Sequence, residues 1–301
     1  MNKVLIFGGS GTFGTAMTKR LLDEASEIIH YDRDEKNQYF SKQIINDKKV
    51  IRVIGDIRDK EAVDNVIKTY KPDVIMLASA MKHIDKCEAY PDECRKTNID
   101  GCVNVINSAI SHDIDKLVFL STDKATNPTT IYGCSKLFLE MYIQAVDSRN
   151  TTLLTTRYGN VLGSNGSVLD IWKRQRDNNE PLTITNPDMT RFFMSIDQAI
   201  DLVLYAVKNG SNKDLWVYNN KACTIKDLAD CISNNQIETG LRCIEKNDEA
   251  LLTINELNHS KLIDHYYQVN KDIKSDVEHD KPLRSDNAER FTKKELFEII
   301  E

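Results

Sequence analysis

The chain reads as an α/β protein, a Rossmann-type doubly wound parallel sheet with a smaller C-terminal substrate domain. Three observations predict this. Short apolar runs alternate with helical stretches through the first half, a glycine-rich turn follows the first run, and the rhythm breaks after about residue 160. The runs at 4–7, 28–31, 50–54, 74–78, 117–120 and 153–156 are rich in β-branched and large apolar residues. They are short enough for strands buried on both faces. Between them, 15–25, 61–70, 103–110 and 137–146 have helical spacing. Met17, Leu21 and Leu22 share one face of the first, and Val63, Val66 and Ile67 one face of the second. Such alternation folds as parallel crossovers with helices on both sides of the sheet.

Beyond that point the signals weaken. Gly163-Ser164-Asn165-Gly166 and 181–187 are loop chemistry, while 197–208 and 224–233 read as helices, the latter capped by Thr224. From 234 onward the pattern is polar and irregular, ending in an amphipathic helix at 293–300. The expected division is a dinucleotide-binding domain over 1–163, with a returning segment at about 193–215. A substrate domain then takes 164–192 and 216–301 and covers the carboxyl edge of the sheet.

Composition narrows the class. Of 301 residues, 40 are Lys or Arg and 46 are Asp or Glu, a net charge of −6 without a basic run, so no nucleic-acid partner is expected. No apolar stretch reaches the ~18–20 residues of a membrane helix. The start, Met1-Asn2-Lys3 followed by four apolar residues, is too short for a signal-peptide core. Cys87, Cys94, Cys102, Cys134, Cys223, Cys231 and Cys243 form no CxxC pair and are odd in number. They read as reduced thiols of a cytoplasmic protein, with no disulfide frame and no metal site.

Gly8-Gly9-Ser10-Gly11-Thr12-Phe13-Gly14 follows the first strand and opens a helix. Glycines at that spacing let the backbone approach a pyrophosphate, whose charge then sits on the helix N-terminus. An acid, Asp32, ends the second strand, as dinucleotide binding requires. Asp32 suits the ribose hydroxyls of NAD, while Arg33 suits the 2′-phosphate of NADP, so the two argue in opposite directions. Asp56 is placed either to meet the adenine or to close a turn.

Tyr132 and Lys136 are one helical turn apart on a shared face. An ammonium beside a phenol favours the phenolate, which can take a hydroxyl proton during hydride transfer. Ser121-Thr122-Asp123-Lys124 stands at the end of the fifth strand, where ligands bind in such folds. His83, the histidine nearest a motif, stays unassigned, and Trp172 and Trp216 read as packing residues.

Together these residues resemble the extended short-chain dehydrogenase/reductases, and within them the soluble UDP-N-acetylglucosamine 4,6-dehydratases of flagellin- and capsule-sugar biosynthesis. The resemblance rests on the glycine turn, Arg33-Asp34-Glu35, Gly55-Asp56-Ile57-Arg58-Asp59, Ala80-Met81-Lys82-His83 and Lys96-Thr97-Asn98. It continues through Ser121-Thr122-Asp123-Lys124-Ala125, Tyr132-Gly133-Cys134-Ser135-Lys136, Arg157-Tyr158-Gly159-Asn160-Val161, Gly166-Ser167-Val168 and Met189-Thr190-Arg191-Phe192, then fades. It implies a nicotinamide cofactor, NADP or NAD, held by Gly8, Gly11, Thr12, Phe13, Gly14, Asp32, Arg33, Asp56, Ile57, Ala78 and Ser79, with Tyr132 and Lys136 at its reactive end. It also implies a UDP-sugar substrate contacted by Lys82, Asn160, Arg191, Arg242 and Glu245, and a homo-oligomer, dimer or hexamer.

The implied chemistry is an internal dehydration. Tyr132 takes the 4-hydroxyl proton, Thr122 hydrogen-bonds that oxygen, Lys124 removes the C5 proton, and Asp123 protonates the departing 6-hydroxyl. The hydride leaves C4 and returns to C6, with inversion at C5 in the tyrosine-bearing soluble members. Departures from the family pattern are Asp32 for a serine, Ser79 for an alanine, Asp85 for a proline, Asn165 for an arginine, and Cys243-Ile244 for a glycine-containing stretch. A UDP-sugar 4-epimerase or 4-ketoreductase is the alternative within the enzymes, and a non-catalytic dinucleotide sensor the alternative outside them. Asp123 and Lys124 argue against the epimerase, because oxidation and reduction at C4 need neither.

Overall fold

Val4, Leu5, Ile6 and Phe7 are wholly buried, as a strand covered on both faces must be, and the predicted parallel sheet forms around them. The computed structural model describes residues 1–163, 166–241 and 244–300. Two units partition the chain. The first comprises Met1–Ser121, Thr130–Thr156 and Ile200–Trp216, and the second comprises Thr122–Thr129, Arg157–Ala199 and Val217–Glu301.

In the first unit the elements run β1 (Lys3–Phe7), α1 (Thr12–Leu21), β2 (Glu27–Asp32), α2 (Glu35–Ile44), β3 (Val50–Ile54), α3 (Lys60–Tyr70) and β4 (Val74–Leu77). After β4 come α4 (Ile84–Ala89), α5 (Pro91–Cys94), a π-helical stretch (Arg95–Gly101), α6 (Cys102–Ser111), β5 (Lys116–Leu120), α7 (Ile131–Ala145) and β6 (Thr152–Arg157). The strands lie in the order β6-β5-β4-β1-β2-β3 and pair in parallel throughout. The order reverses between β1 and β4, so the turns leaving those two strands flank the crevice where this fold binds ligands. The core joins Leu5, Phe7, Ile29, Ile75, Leu77, Leu117 and Phe119 of the sheet to Val63, Val66, Val105, Ile106 and Leu139 of the helices.

The second unit is built from small pieces. Strands Asn160–Val161, Thr190–Met194 and Ala222–Thr224 form one sheet, two-stranded sheets form from Leu182–Ile184 with Gln236–Glu238 and from Ala250–Leu252 with Leu283–Arg284, and Ser260–Ile263 pairs antiparallel with Tyr266–Val269. Its core gathers Leu169, Trp172, Leu182, Met189, Phe193, Leu228 and Leu296, so Trp172 packs as expected. Thr224 caps the helix Ile225–Asp230 by accepting from Asp227 N. No helix among the described residues is long and apolar enough to cross a membrane.

Periodicity gives no sign of α2, and the reason is visible. That helix buries the polar Gln38 and Ser41 and exposes Tyr39, Phe40 and Ile44, the reverse of an amphipathic stripe. Gln38 Nε2 instead donates to Asp32 O at 2.8 Å and to Val53 O at 2.9 Å, tying the helix to the ends of β2 and β3. The helix Val168–Asp177 is also absent from the sequence pattern, because only Leu169 and Trp172 are buried on it.

His30, not His83, is the histidine that matters to a motif. A methyl group on Gly9 would come within 2.5 Å of the His30 ring, so the glycine turn rests directly on it. The Thr18 hydroxyl donates to Gly14 O at 2.7 Å, and therefore accepts from His30 Nε2 at 2.6 Å. Burial, with the charge of Arg52, lowers the His30 pKa from 6.5 to about 4. The unfolded chain takes that proton near 6.5 and the folded chain resists it, so stability falls as pH drops from 6.5 towards 4. The loss should reach about 3 kcal/mol below the lower value. In His30→Phe the slope of unfolding free energy against pH over that window should flatten by up to one proton, as measured by urea titration.

Candidate active site

β1 ends in a backbone turn that only glycine can make. Gly8 has φ of +86°, and a Cβ there would lie 3.0 Å from Ser79 N and 3.2 Å from Ala78 C. Ala78 and Ser79, leaving β4, thus lie against the turn. A Cβ at Gly14 would lie 2.5 Å from Gly9 O, which seats α1 close behind the loop. Gly11 starts α1 with no side-chain cap, and the first turn, Thr12 and Phe13 included, holds no acid. The positive end of the helix is left for an anion.

Asp32 closes β2, and Ser10 Oγ, from inside the glycine turn, donates to its Oδ2 at 2.5 Å. Asp34 N donates to Oδ1 at 3.2 Å. Arg33 is drawn to Asp56, Nη1 to Oδ2 at 3.4 Å, while Arg58 grips the same carboxylate through Nε at 2.9 Å and Nη2 at 2.7 Å. Partial burial raises the Asp56 pKa, but the hydrogen bonds and charge of Arg58, with Arg33 behind, outweigh it and hold the carboxyl below its ordinary value. Ile57 is buried against Gly101 of the π-helical stretch.

Tyr132 and Lys136 occupy the first two turns of α7, whose N-terminus is held by Thr130 Oγ1 accepting from Gly133 N and by Glu88 accepting from Ile131 N. The Lys136 ammonium donates to Leu120 O at 2.8 Å and lies 4.7 Å from the centre of the Phe119 ring. Burial lowers its pKa. Asn98, in the π-helical stretch, is a hub with no role legible in the sequence. Its Oδ1 accepts from Met81 N at 2.7 Å, and its Nδ2 donates to Met81 O at 3.0 Å and to Ser135 Oγ at 3.1 Å. One buried amide therefore fixes the loop bearing Lys82 to the helix bearing Tyr132.

In the second unit, Thr122, Asp123 and Lys124 open a 3₁₀ turn, with Asp123 N donating to Tyr158 O at 3.0 Å. Asp123 is fully buried. Its Oδ1 accepts from Thr122 Oγ1 at 2.9 Å and from Lys124 Nζ at 3.0 Å, while its Oδ2 has no partner among the described residues. Asn160 Oδ1 is a second acceptor for Lys124, at 3.2 Å. Arg191 is buried, and its guanidinium donates to the carbonyls of Thr190, Asn247 and Lys246 at 2.7, 3.1 and 2.7 Å. It has no carboxylate partner among the described residues, contrary to a surface salt bridge. Glu245 adjoins the Lys246–Asn247 segment that Arg191 braces, and Arg242 lies outside the described residues.

Comparison with known proteins follows the same lines. The polysaccharide biosynthesis protein family matches residues 4–271. A UDP-glucose 4-epimerase of Rickettsia bellii (strain OSU 85-389) is 36% identical over 324 residues, covering 99% of this chain and 94% of the relative. One of Rickettsia conorii is 37% identical over 284 residues, covering 89% and 83%. Among solved structures, Pen from Bacillus thuringiensis superposes with a TM-score of 0.93 at 30% identity, covering 99% of this chain and 96% of that one. DesIV of Streptomyces venezuelae, a dTDP-glucose 4,6-dehydratase with NAD and TYD bound, shares the fold at a TM-score of 0.71 and 18% identity, covering 81% and 86%. Matched by that family over most of its length, and by relatives more than a third identical along nearly all of it, the chain belongs to the polysaccharide biosynthesis protein family.

Proposed function

We propose that the protein is a nicotinamide-dependent nucleotide-sugar 4,6-dehydratase acting on UDP-N-acetylglucosamine. The observation that carries this reading is the unshared oxygen of Asp123. A buried carboxylate oxygen without a hydrogen bond costs on the order of 1–3 kcal/mol, which a substrate hydroxyl meeting it would recover. Elimination at C5–C6 needs an acid and a base side by side, and Asp123 and Lys124 are joined by a 3.0 Å hydrogen bond. Moving one proton across that bond turns the ion pair into a protonated carboxyl and a free amine, the two forms the reaction uses, with no proton drawn from solvent.

The residues of the glycine turn fit a dinucleotide: Gly8, Gly9 and Gly14 have no room for side chains, and the start of α1 is free of acids. When bound, the cofactor supplies a reversible hydride acceptor. Tyr132 accepts the 4-hydroxyl proton, Thr122 holds the 4-oxygen, Lys124 takes the C5 proton, and Asp123 delivers a proton to the departing 6-oxygen. The family resemblance further supports inversion at C5. Lys136 binds the nicotinamide ribose, and Arg191 and Glu245 serve the UDP moiety with Lys82 and Arg242. The names of the curated relatives favour a second reading, a UDP-sugar 4-epimerase, which would use Tyr132 and Lys136 and leave Asp123 and Lys124 idle.

Incubation with UDP-N-acetylglucosamine and NAD, followed by mass spectrometry, should show loss of one water without net reduction. An isomer of unchanged mass would establish the epimerase instead. In heavy water the product should carry deuterium at C5, and Lys124→Ala should slow that incorporation about 100-fold. Asp123→Asn should block water loss while oxidation at C4, seen as reduced nicotinamide, continues.

For the cofactor we propose NAD. Ser10 holds the Asp32 carboxylate at the end of β2, an acid that would repel a 2′-phosphate and suit the ribose hydroxyls of NAD, and Arg33 is engaged by Asp56. Asp32→Ser should therefore improve NADP affinity relative to NAD by about tenfold, read by quenching of intrinsic fluorescence. A wild-type protein that prefers NADP would overturn the choice.

A further inference from the structure

Glu140 carries no role in the chemistry above, yet it is buried on the face of α7 that bears Lys136, one turn further along. Its Oε1 accepts from Ser121 Oγ at 2.5 Å, between two residues that are both buried. Lys136, for its part, donates to Leu120 O at 2.8 Å. Two residues spaced i and i+4 on the helix thus seize two consecutive residues at the end of β5. A helix held at two such points can neither rotate nor slide against the strand without breaking both.

Charge follows from the same arrangement. A fully enclosed ammonium is disfavoured by desolvation, and Lys136 donates to a carbonyl and lies against an aromatic ring. The groups that face it are the thiols of Cys102, Cys94 and Cys87 and the carboxylate of Glu140. Burial pushes the thiol of Cys102 up to about 11 and that of Cys87 to about 12, which keeps both neutral. Glu140 is therefore the negative charge that works against desolvation at Lys136.

We propose that Glu140 is a positioning residue that keeps Lys136 charged and in register with the end of β5, acting through Ser121 for register and through its own charge for protonation. This rests on the reading of Tyr132 and Lys136 as the proton-accepting pair, and it adds a residue that touches neither substrate nor cofactor.

The test measures kcat and KM for the nucleotide sugar against pH in wild type, Glu140→Gln and Ser121→Ala, with NAD binding and thermal melting measured alongside. Glu140→Gln keeps an acceptor for Ser121 and removes the charge. Its alkaline limb of kcat, where Lys136 gives up its proton, should move down by about one pH unit, with KM unchanged. Ser121→Ala keeps the charge and loses the anchor, so kcat should fall about tenfold with the limb in place. A Glu140→Gln limb that coincides with wild type, in a protein that melts and binds NAD normally, overturns the charge role. A Ser121→Ala kcat equal to wild type overturns the register role. Inactivity of wild type towards every UDP-sugar tried would instead defeat the functional reading, and the pH dependence of NAD affinity in Glu140→Gln would still report the charge on Lys136.

Discussion

The first unit depends on one steric constraint: the backbone leaving β1 has to pass within contact distance of β4, of the His30 ring and of its own helix at once. Gly8 meets Ser79 and Ala78, Gly9 meets His30, and Gly14 meets Gly9. A side chain at any of these positions would push α1 away from the sheet. The glycines are there because three surfaces converge, and the concavity they leave is a consequence of that convergence. Ser10, the one side chain in the middle of the turn, uses the space to reach Asp32.

Charge is handled in two different ways at the two groups of candidate site residues. Around β2 and β3 the charges are exposed or half-buried and cross-paired, Arg33 and Arg58 on Asp56, with Glu93 drawn in by Arg58. Such pairs contribute little to stability and mainly hold geometry. Around Asp123 and Arg191 of the second unit the charged groups are buried and incompletely paired among the described residues. Among the described residues, Asp123 shares one oxygen and keeps the other unshared, and Arg191 donates to carbonyls and to no carboxylate. Buried groups left in that condition cost stability in the absence of a ligand, which is why they draw attention as functional.

What could be read from the amino-acid order was whatever is local. The six strands, the glycine turn, Asp32 at the end of β2 and the Tyr132–Lys136 spacing each sit within a few residues of chain, where periodicity and turn chemistry act. Asn98 belongs to the Lys96-Thr97-Asn98 motif, but its contacts reach 17 residues back to Met81 and 37 forward to Ser135, and no spacing rule reports such distances. The helix α2 was hidden because its apolar side chains face outward. Strands after residue 234 run only two to four residues, too short to show an alternation. His30 was passed over because its partner is a glycine, which leaves no mark of its own on a hydrophobic pattern.

The widened turns of Arg95–Gly101 have a consequence for the evolution of this chain. A π-helical stretch holds one residue more than an α-helix of the same rise, and that surplus is what carries Asn98 round to face both Met81 and Ser135. Deleting a single residue there would let the segment rewind as ordinary α-helix and swing the amide by about 100°. Substitutions at the exposed Arg95, Lys96 and Asp100 leave those contacts in place, whereas changes in length would undo three attachments in one stroke.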